Sequence, residues 1–222
     1  GGAAFTTTVC SVRRFDPVRC RTRRRVSTID GFTIDIHIYQ VLRHRCMKVG
    51  IDGIEIRTGR LKLDLPGTFA PAKGEDPGKY TKGLGLHVSA LPDAYEDIVT
   101  MAANASRRLL ERKNVSPADI GRIDVATESA FDNSKPVSTY VAGCLEQVFD
   151  GDFTHANKGE RKFACVSGTQ VLDDAFNWVR AGRSRGRAAL VVATDTALYA
   201  RDDPGEATQG AGAVAMLVDE DP

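Results

Sequence analysis

The chain is poor in several residue types that announce a function. Its 222 residues include one Trp, three Met, four His and five Cys. No run of about 18 apolar residues occurs, which excludes a membrane-spanning helix of ordinary length. The cysteines form no C-x-x-C pair, and an odd, unpatterned set argues against a disulfide framework and for a reducing compartment. His37, His44, His87 and His155 have no metal-ligand spacing. Gly83-Leu84-Gly85 lacks the third glycine of a dinucleotide fingerprint, and Gly210-Ala211-Gly212-Ala213 leads into a strand instead of a helix. What remains is ordinary for a globular protein, 42% hydrophobic and 27% charged, and long enough for a full core in one domain.

Composition changes abruptly near Met47. Residues 1–46 carry nine Arg and three Asp, no Lys and no Glu, and three of the five cysteines. They are net +6 against −5 for the remainder. Met47-Lys48-Val49-Gly50 then reads like a natural start. An Arg-rich, acid-poor segment fits a targeting peptide, a nucleic-acid-binding arm, or a non-native or disordered basic extension, the reading adopted for 1–46. Phe32, Ile34, Ile36 and Ile38 alternate as in a strand, with no evident partner.

After the seam, strands and helices alternate. Val49–Ile56 reads as a strand in which Gly53 marks a bulge or a close backbone approach. Residues 64–92 are rich in Gly and Pro and read as loop. A helix is expected from Pro92-Asp93 to Asn114, with Ile98, Met101, Ala102, Ala105, Leu109 and Leu110 inward. Ile123–Thr127 is a strand. Pro136 opens a helix with Val137, Tyr140, Val141, Cys144, Leu145 and Val148 on one stripe. Phe163–Cys165 ends a short strand, and a helix follows from Thr169 with Leu172, Ala175, Phe176 and Val179 buried and Gly182 as cap. Ala188–Ala193 and Ala211–Val218 are continuous apolar strands of the kind buried on both faces. This is a layered α/β pattern with a largely buried sheet.

Two residues carry candidate chemistry. Cys165 stands where a strand turns into a helix, near the positive end of the helix dipole, which favours negative charge. Glu128 follows the strand Ile123–Thr127, where partial desolvation would suit a general base. Taken singly, each fits a bland role as well, an inert buried thiol and an exposed loop carboxylate. Cys144 reads as such a buried thiol, and Asp132 and Lys135 as solvated loop charges.

Together the segments resemble 3-hydroxy-3-methylglutaryl-CoA synthases over roughly residues 47–218. Gly78–Gly85 resembles an early loop of that family, and Glu96–Met101 the start of its first long helix. Thr127-Glu128-Ser129 with Lys135-Pro136 resembles the segment of the catalytic glutamate. Ala164-Cys165 with Gly168-Thr169 resembles the nucleophile turn. Asp195–Tyr199 and Ala207–Ala215 resemble an active-site strand and a glycine-rich segment. The resemblance implies a thiolase-like layered fold, of which residues 47–222 are the first, N-terminal half: a mostly buried mixed sheet with flanking helices.

It also implies an acyltransferase with acetyl-CoA and acetoacetyl-CoA as substrates and no further cofactor or metal. Cys165 would carry an acetyl group and Glu128 would remove its methyl proton. Thr169, Tyr199, Thr208 and Gly210 would line the acyl pocket, with Asp195 supporting it. The same resemblance implies a cytoplasmic homodimer acting in isoprenoid precursor synthesis, with neither nucleic acid nor membrane as partner. It places a further catalytic histidine in the second half, and no residue here matches it. Two departures stand out: Val166 where an aromatic is usual and Leu86 where Gln is frequent. Two alternatives remain open: another thiolase-fold ketosynthase, which relies on Cys, His and Asn, or a non-catalytic fragment needing a partner half.

Overall fold

The computed structural model describes residues 27–29, 32–34, 48–220 and Pro222. The chain divides into two compact units, Gly1–His44 and Arg45–Pro222. In the first, β1 (Ser27–Ile29) pairs antiparallel with β2 (Phe32–Ile34), supplying the partner that the alternating stretch lacked. Ile36, Ile38 and most of the 1–46 segment lie outside the described residues.

The second unit is built on a mixed five-stranded sheet. Its strands are β3 (Val49–Thr58), β6 (Ile120–Ala126), β7 (Asn157–Arg161), β8 (Ala188–Ala197) and β9 (Gly210–Glu220). They lie in the order β3-β9-β8-β6-β7. β6 runs parallel to both β7 and β8, whereas β9 is antiparallel to β8 and β3. The register of β3 against β9 shifts between Ile51 and Gly53, which is the expected bulge. The close approach at Gly53 is by side chain and not by backbone: a Cβ there would meet the Leu109 side chain of a packed helix at 2.9 Å.

Three long helices cover this sheet: α2 (Ile98–Lys113), α3 (Val137–Glu146) and α4 (Ser167–Arg180). α2 and α3 share one core with Ile123, Val125, Leu190 and Val192. α4 shares the other with Ala126, Ala189 and Val191. Successive residues of β8 thus enter opposite cores, which is why its sequence is apolar without alternation. Ile54 and Ile56 of β3 pair with Met216 and Val214, on the α4 side of the sheet. α4 does not reach that far, and the two isoleucines are 46% and 58% exposed.

Several expectations shift. α2 begins at Ile98, five residues later than Asp93. Glu96 is held away from helix geometry: it accepts the Arg57 guanidinium at 2.7 Å and the main-chain N–H groups of Arg60 and Asp93 at 2.7 and 3.1 Å. Asp97 and Thr100 then close a reciprocal capping box. The helix stops where expected, with Asn114 in the left-handed region at φ 52°. Residues 64–92 are not simply loop. β4 (Leu61–Asp64) pairs with β5 (Val88–Leu91), and between them lie π-helical turns at Leu65–Phe69 and Lys79–Leu84 and the one-turn α1 (Ala70–Lys73). Pro66 and Pro71 stand in the first turns, where no N–H is needed. Leu65, Phe69, Ala70, Tyr80 and Ala207 make a small separate core, which Leu86 joins.

The buried faces of two helices are rotated from the expected stripes. α3 buries Val137, Ser138, Val141, Ala142 and Leu145, leaving Cys144 exposed, and Val148 is exposed beyond its end. α4 buries Val171, Ala175 and Val179 at four-residue spacing, with Leu172 and Phe176 at the margin. Gly182 follows α4 with φ 68° and donates to Val179 O, the expected cap.

Candidate active site

The carboxyl ends of the parallel strands β6, β7 and β8 all open onto the edge where α4 begins. Register fixes the neighbours there: Ala126 of β6 stands opposite Arg161 of β7 and Ala193 of β8. Open α/β sheets bind ligands at that edge.

Beyond β6 the chain is pinned, residue by residue. Thr127 is fully buried and its N–H donates to Arg161 O at 3.2 Å. Asp195, near the end of β8, is the anchor. Its Oδ1 accepts the Glu128 N–H at 3.0 Å, the Ser129 hydroxyl at 2.6 Å and the Thr127 hydroxyl at 3.2 Å. The Glu128 side chain is exposed, so this segment does not supply the desolvation expected for it. The result is a carboxylate with a fixed root and a free head.

Cys165 follows β7. That strand ends at Arg161, earlier than the expected Phe163–Cys165, and a tight turn takes over. Phe163 O accepts the N–H groups of Val166 and Ser167, both at 3.2 Å, and Ala164 O accepts the Ser167 hydroxyl at 2.9 Å. Ala164 has φ 44°, a left-handed conformation uncommon for a residue with a Cβ. Val166 is the N-cap residue of α4, so Cys165 sits immediately outside the helix and is exposed with a free thiol. This is the expected strand-to-helix placement.

The remaining candidates gather at the same end of the sheet. Thr169 lies in the first turn of α4 and is exposed. The connection between β8 and β9 leaves at Ala197 and returns at Gly210, which pair with each other. Tyr199 in that connection is 48% exposed. Thr208 turns its hydroxyl onto Gly205 O at 2.8 Å, within its own loop. Asp195 and Glu128 are directly bonded, whereas Thr208 is occupied locally. Phe163 and Val166, which flank Cys165 in its turn, are exposed, as are Phe131 and Leu198 in the segments that follow β6 and β8. Leu86 packs in the small core beside Leu65 and Tyr80. Among the described residues no group of His, Cys, Asp and Glu forms a metal-binding cluster.

Two roles were not anticipated. Ser129 joins the Asp195 network, although only Glu128 in Thr127-Glu128-Ser129 was singled out. The available signal was two hydroxyls bracketing a carboxylate at the end of a buried strand, each needing a partner. Asp132 is no idle loop charge. It accepts the N–H groups of Ser134 and Lys135 at 2.8 and 3.0 Å and the Tyr140 hydroxyl at 2.7 Å. These bonds hold its carboxyl down at about 2.

Fold and site thus define a thiolase-like α/β domain with a cysteine at the head of its sheet-covering helix. Comparison with known proteins gives the family. The model of the hydroxymethylglutaryl-coenzyme A synthase N-terminal domain matches residues 45–222. A hydroxymethylglutaryl-CoA synthase of Haloferax volcanii is 80% identical over 174 residues, covering 78% of this chain and 39% of that protein. The cytoplasmic hydroxymethylglutaryl-CoA synthase of Gallus gallus is 40% identical over 145 residues, covering 65% of this chain and 27% of its own. The structure of MvaS in complex with 3-hydroxy-3-methylglutaryl coenzyme A superposes with a TM-score of 0.74 at 39% identity, over 79% of this chain and 41% of that one. An HMG-CoA synthase complexed with CoA superposes at 0.71 and 36% identity, over 79% and 43%. The chain belongs to the hydroxymethylglutaryl-CoA synthase family, and it spans about two fifths of the length of the Haloferax volcanii protein.

Proposed function

We propose that this chain is the nucleophile-bearing part of an acyltransferase that condenses acetyl-CoA with acetoacetyl-CoA. The Cys165 sulfur attacks the acetyl thioester carbonyl, and the CoA thiol leaves. Glu128 takes a proton from the methyl of the acetyl-cysteine, and the resulting enolate attacks the ketone of acetoacetyl-CoA. Water then cleaves the bond to sulfur and releases 3-hydroxy-3-methylglutaryl-CoA. The observation that carries this reading is that Cys165 and Glu128 leave the carboxyl ends of adjacent parallel strands, over the start of one helix.

Physical chemistry supports the division of labour. Passing through an enzyme thioester splits one difficult step into two, and a well-placed base contributes about 10²–10⁴-fold. The Cys165 N–H is the donor we assign to the thioester oxygen. Thr169, Tyr199, Thr208 and Gly210 are the proposed acyl-pocket lining. In this reading the histidine that holds the acetoacetyl group belongs to a second half. The open apolar face of Ile54 and Ile56 is the surface on which a second half packs in this reading. Acyl-CoA substrates, a homodimer and a cytoplasmic setting complete it. Incubation with labelled acetyl-CoA tests it: label should stay on the folded wild-type chain and be lost in Cys165→Ala. A folded wild-type chain that retains no label would refute it.

A further inference from the structure

We infer that Ser129 is a positioning residue for the Glu128 carboxylate and acts through Asp195, an inference that rests on the function proposed above. Glu128 stands between two hydroxyl residues that both hold Asp195. Ser129 Oγ donates to Asp195 Oδ1 at 2.6 Å, in the short range of a charge-assisted bond. The same Oγ accepts the main-chain N–H of Thr196 at 3.2 Å, and the Ser129 N–H donates to Thr127 Oγ1 at 3.1 Å. One side chain therefore ties the chain beyond β6 to both the carboxylate and the backbone of β8.

The Glu128 N–H donates to that same Asp195 oxygen at 3.0 Å. Loss of the Ser129 hydroxyl removes the shortest of the three bonds that orient Asp195 and leaves the Thr196 N–H without its acceptor. Asp195 is then held only by the longer bonds from Thr127 and Glu128, and the root of Glu128 is less firmly fixed. A base acts by position as well as by strength, and a displacement of about 1 Å can cost about 100-fold. Cys165 belongs to a different turn, closed by Phe163 O and Ala164 O, with no bond to Ser129. Proton removal is the step that suffers, and acetyl transfer to sulfur is largely spared.

The test uses the full 222-residue chain in D2O with acetyl-CoA. Glu128 takes a methyl proton from acetyl-Cys165 to give the thioester enolate, its acid proton exchanges with solvent, and a deuteron returns. Mass spectrometry of the Cys165 peptide reads acetylation and methyl deuteration separately. Ser129→Ala is expected to acetylate within about threefold of wild type while deuteration slows about tenfold or more, and Ser129→Thr to recover most of that loss. Deuteration at the wild-type rate in Ser129→Ala overturns the inference. So does slowing of both steps by the same factor, which marks a general structural effect. If the folded wild-type chain takes no acetyl group, the functional reading fails and amide exchange decides the inference. The Glu128 N–H should then exchange about tenfold faster in Ser129→Ala, with core amides such as Val191 unchanged. Unchanged exchange at Glu128 overturns it.

Discussion

Asp195 Oδ1 accepts the main-chain N–H of Glu128 at 3.0 Å, so a carboxylate on one parallel strand holds the residue that leaves its neighbour. The bond joins positions 67 residues apart in sequence. Thr127 and Ser129 donate hydroxyls to the same oxygen.

Asp195→Ala removes the acceptor of all three donors, one of which belongs to the fully buried Thr127. The expected cost is about 1–3 kcal/mol of folding stability. Asp195→Asn keeps an acceptor oxygen and should cost less. Urea denaturation of the two variants checks the order, and equal stability of Asp195→Ala and wild type contradicts it.

Asp132 ties part of the acid stability to its loop. Its carboxyl is depressed from 3.8 to about 2 by the N–H groups of Lys135 and Ser134 and by the Tyr140 hydroxyl. A depressed acid stabilises the fold above its unfolded value and loses that contribution as pH falls through its folded value. The melting-temperature gap between wild type and Asp132→Ala should be full above about pH 5 and should close towards about pH 2. A gap that stays constant over that window would exclude this origin.

Cys144 is the other exposed thiol among the described residues. Desolvation, with the charge of Asp97 adding to it, pushes its thiol above the ordinary value. Iodoacetamide should therefore modify Cys144 more slowly than free cysteine near neutral pH, because the thiolate is the reacting form. The difference should shrink as pH rises. Peptide mapping after timed labelling gives the rate, and one equal to free cysteine at all pH values would count against it.

Ala164 tests the turn that presents Cys165. At φ 44° a β-branched side chain is strained. Ala164→Val should cost about 1–3 kcal/mol, whereas Ala164→Gly should stay within about 1 kcal/mol of wild type, since relief of strain offsets a more flexible unfolded chain. Denaturation midpoints compare the two, and equal effects would remove the role assigned to the backbone here.

Legibility from sequence followed the range of the forces. The end of α2 at Asn114, the bulge at Gly53 and the cap at Gly182 rest on local backbone preferences, and each is where the residues suggested. The β4–β5 pair is illegible in the sequence, because the Leu61–Asp64 alternation lasts only four residues, Val88–Leu91 does not alternate, and their pairing spans a Gly- and Pro-rich stretch. The start of α2 was misplaced because Glu96 is pulled aside by Arg57, 39 residues away. Cys144 was assigned to the interior because a stripe of apolar residues defines a helix face only to within about one position.

The amino-acid order by itself determined the alternation of strand and helix, the doubly buried β8, and the seating of Cys165 between a strand and a helix, since these depend on hydrophobic spacing and local geometry; β9, expected to be buried on both faces, instead leaves Val214 and Met216 half-buried on the α4 side. Only the tertiary structure decided that β6 lies between β7 and β8, and hence that Glu128 has Cys165's strand on one side and Asp195 on the other. The reason is that strand order arises from packing two cores across one sheet. That choice depends on residues far apart in the chain, and no local pattern records it.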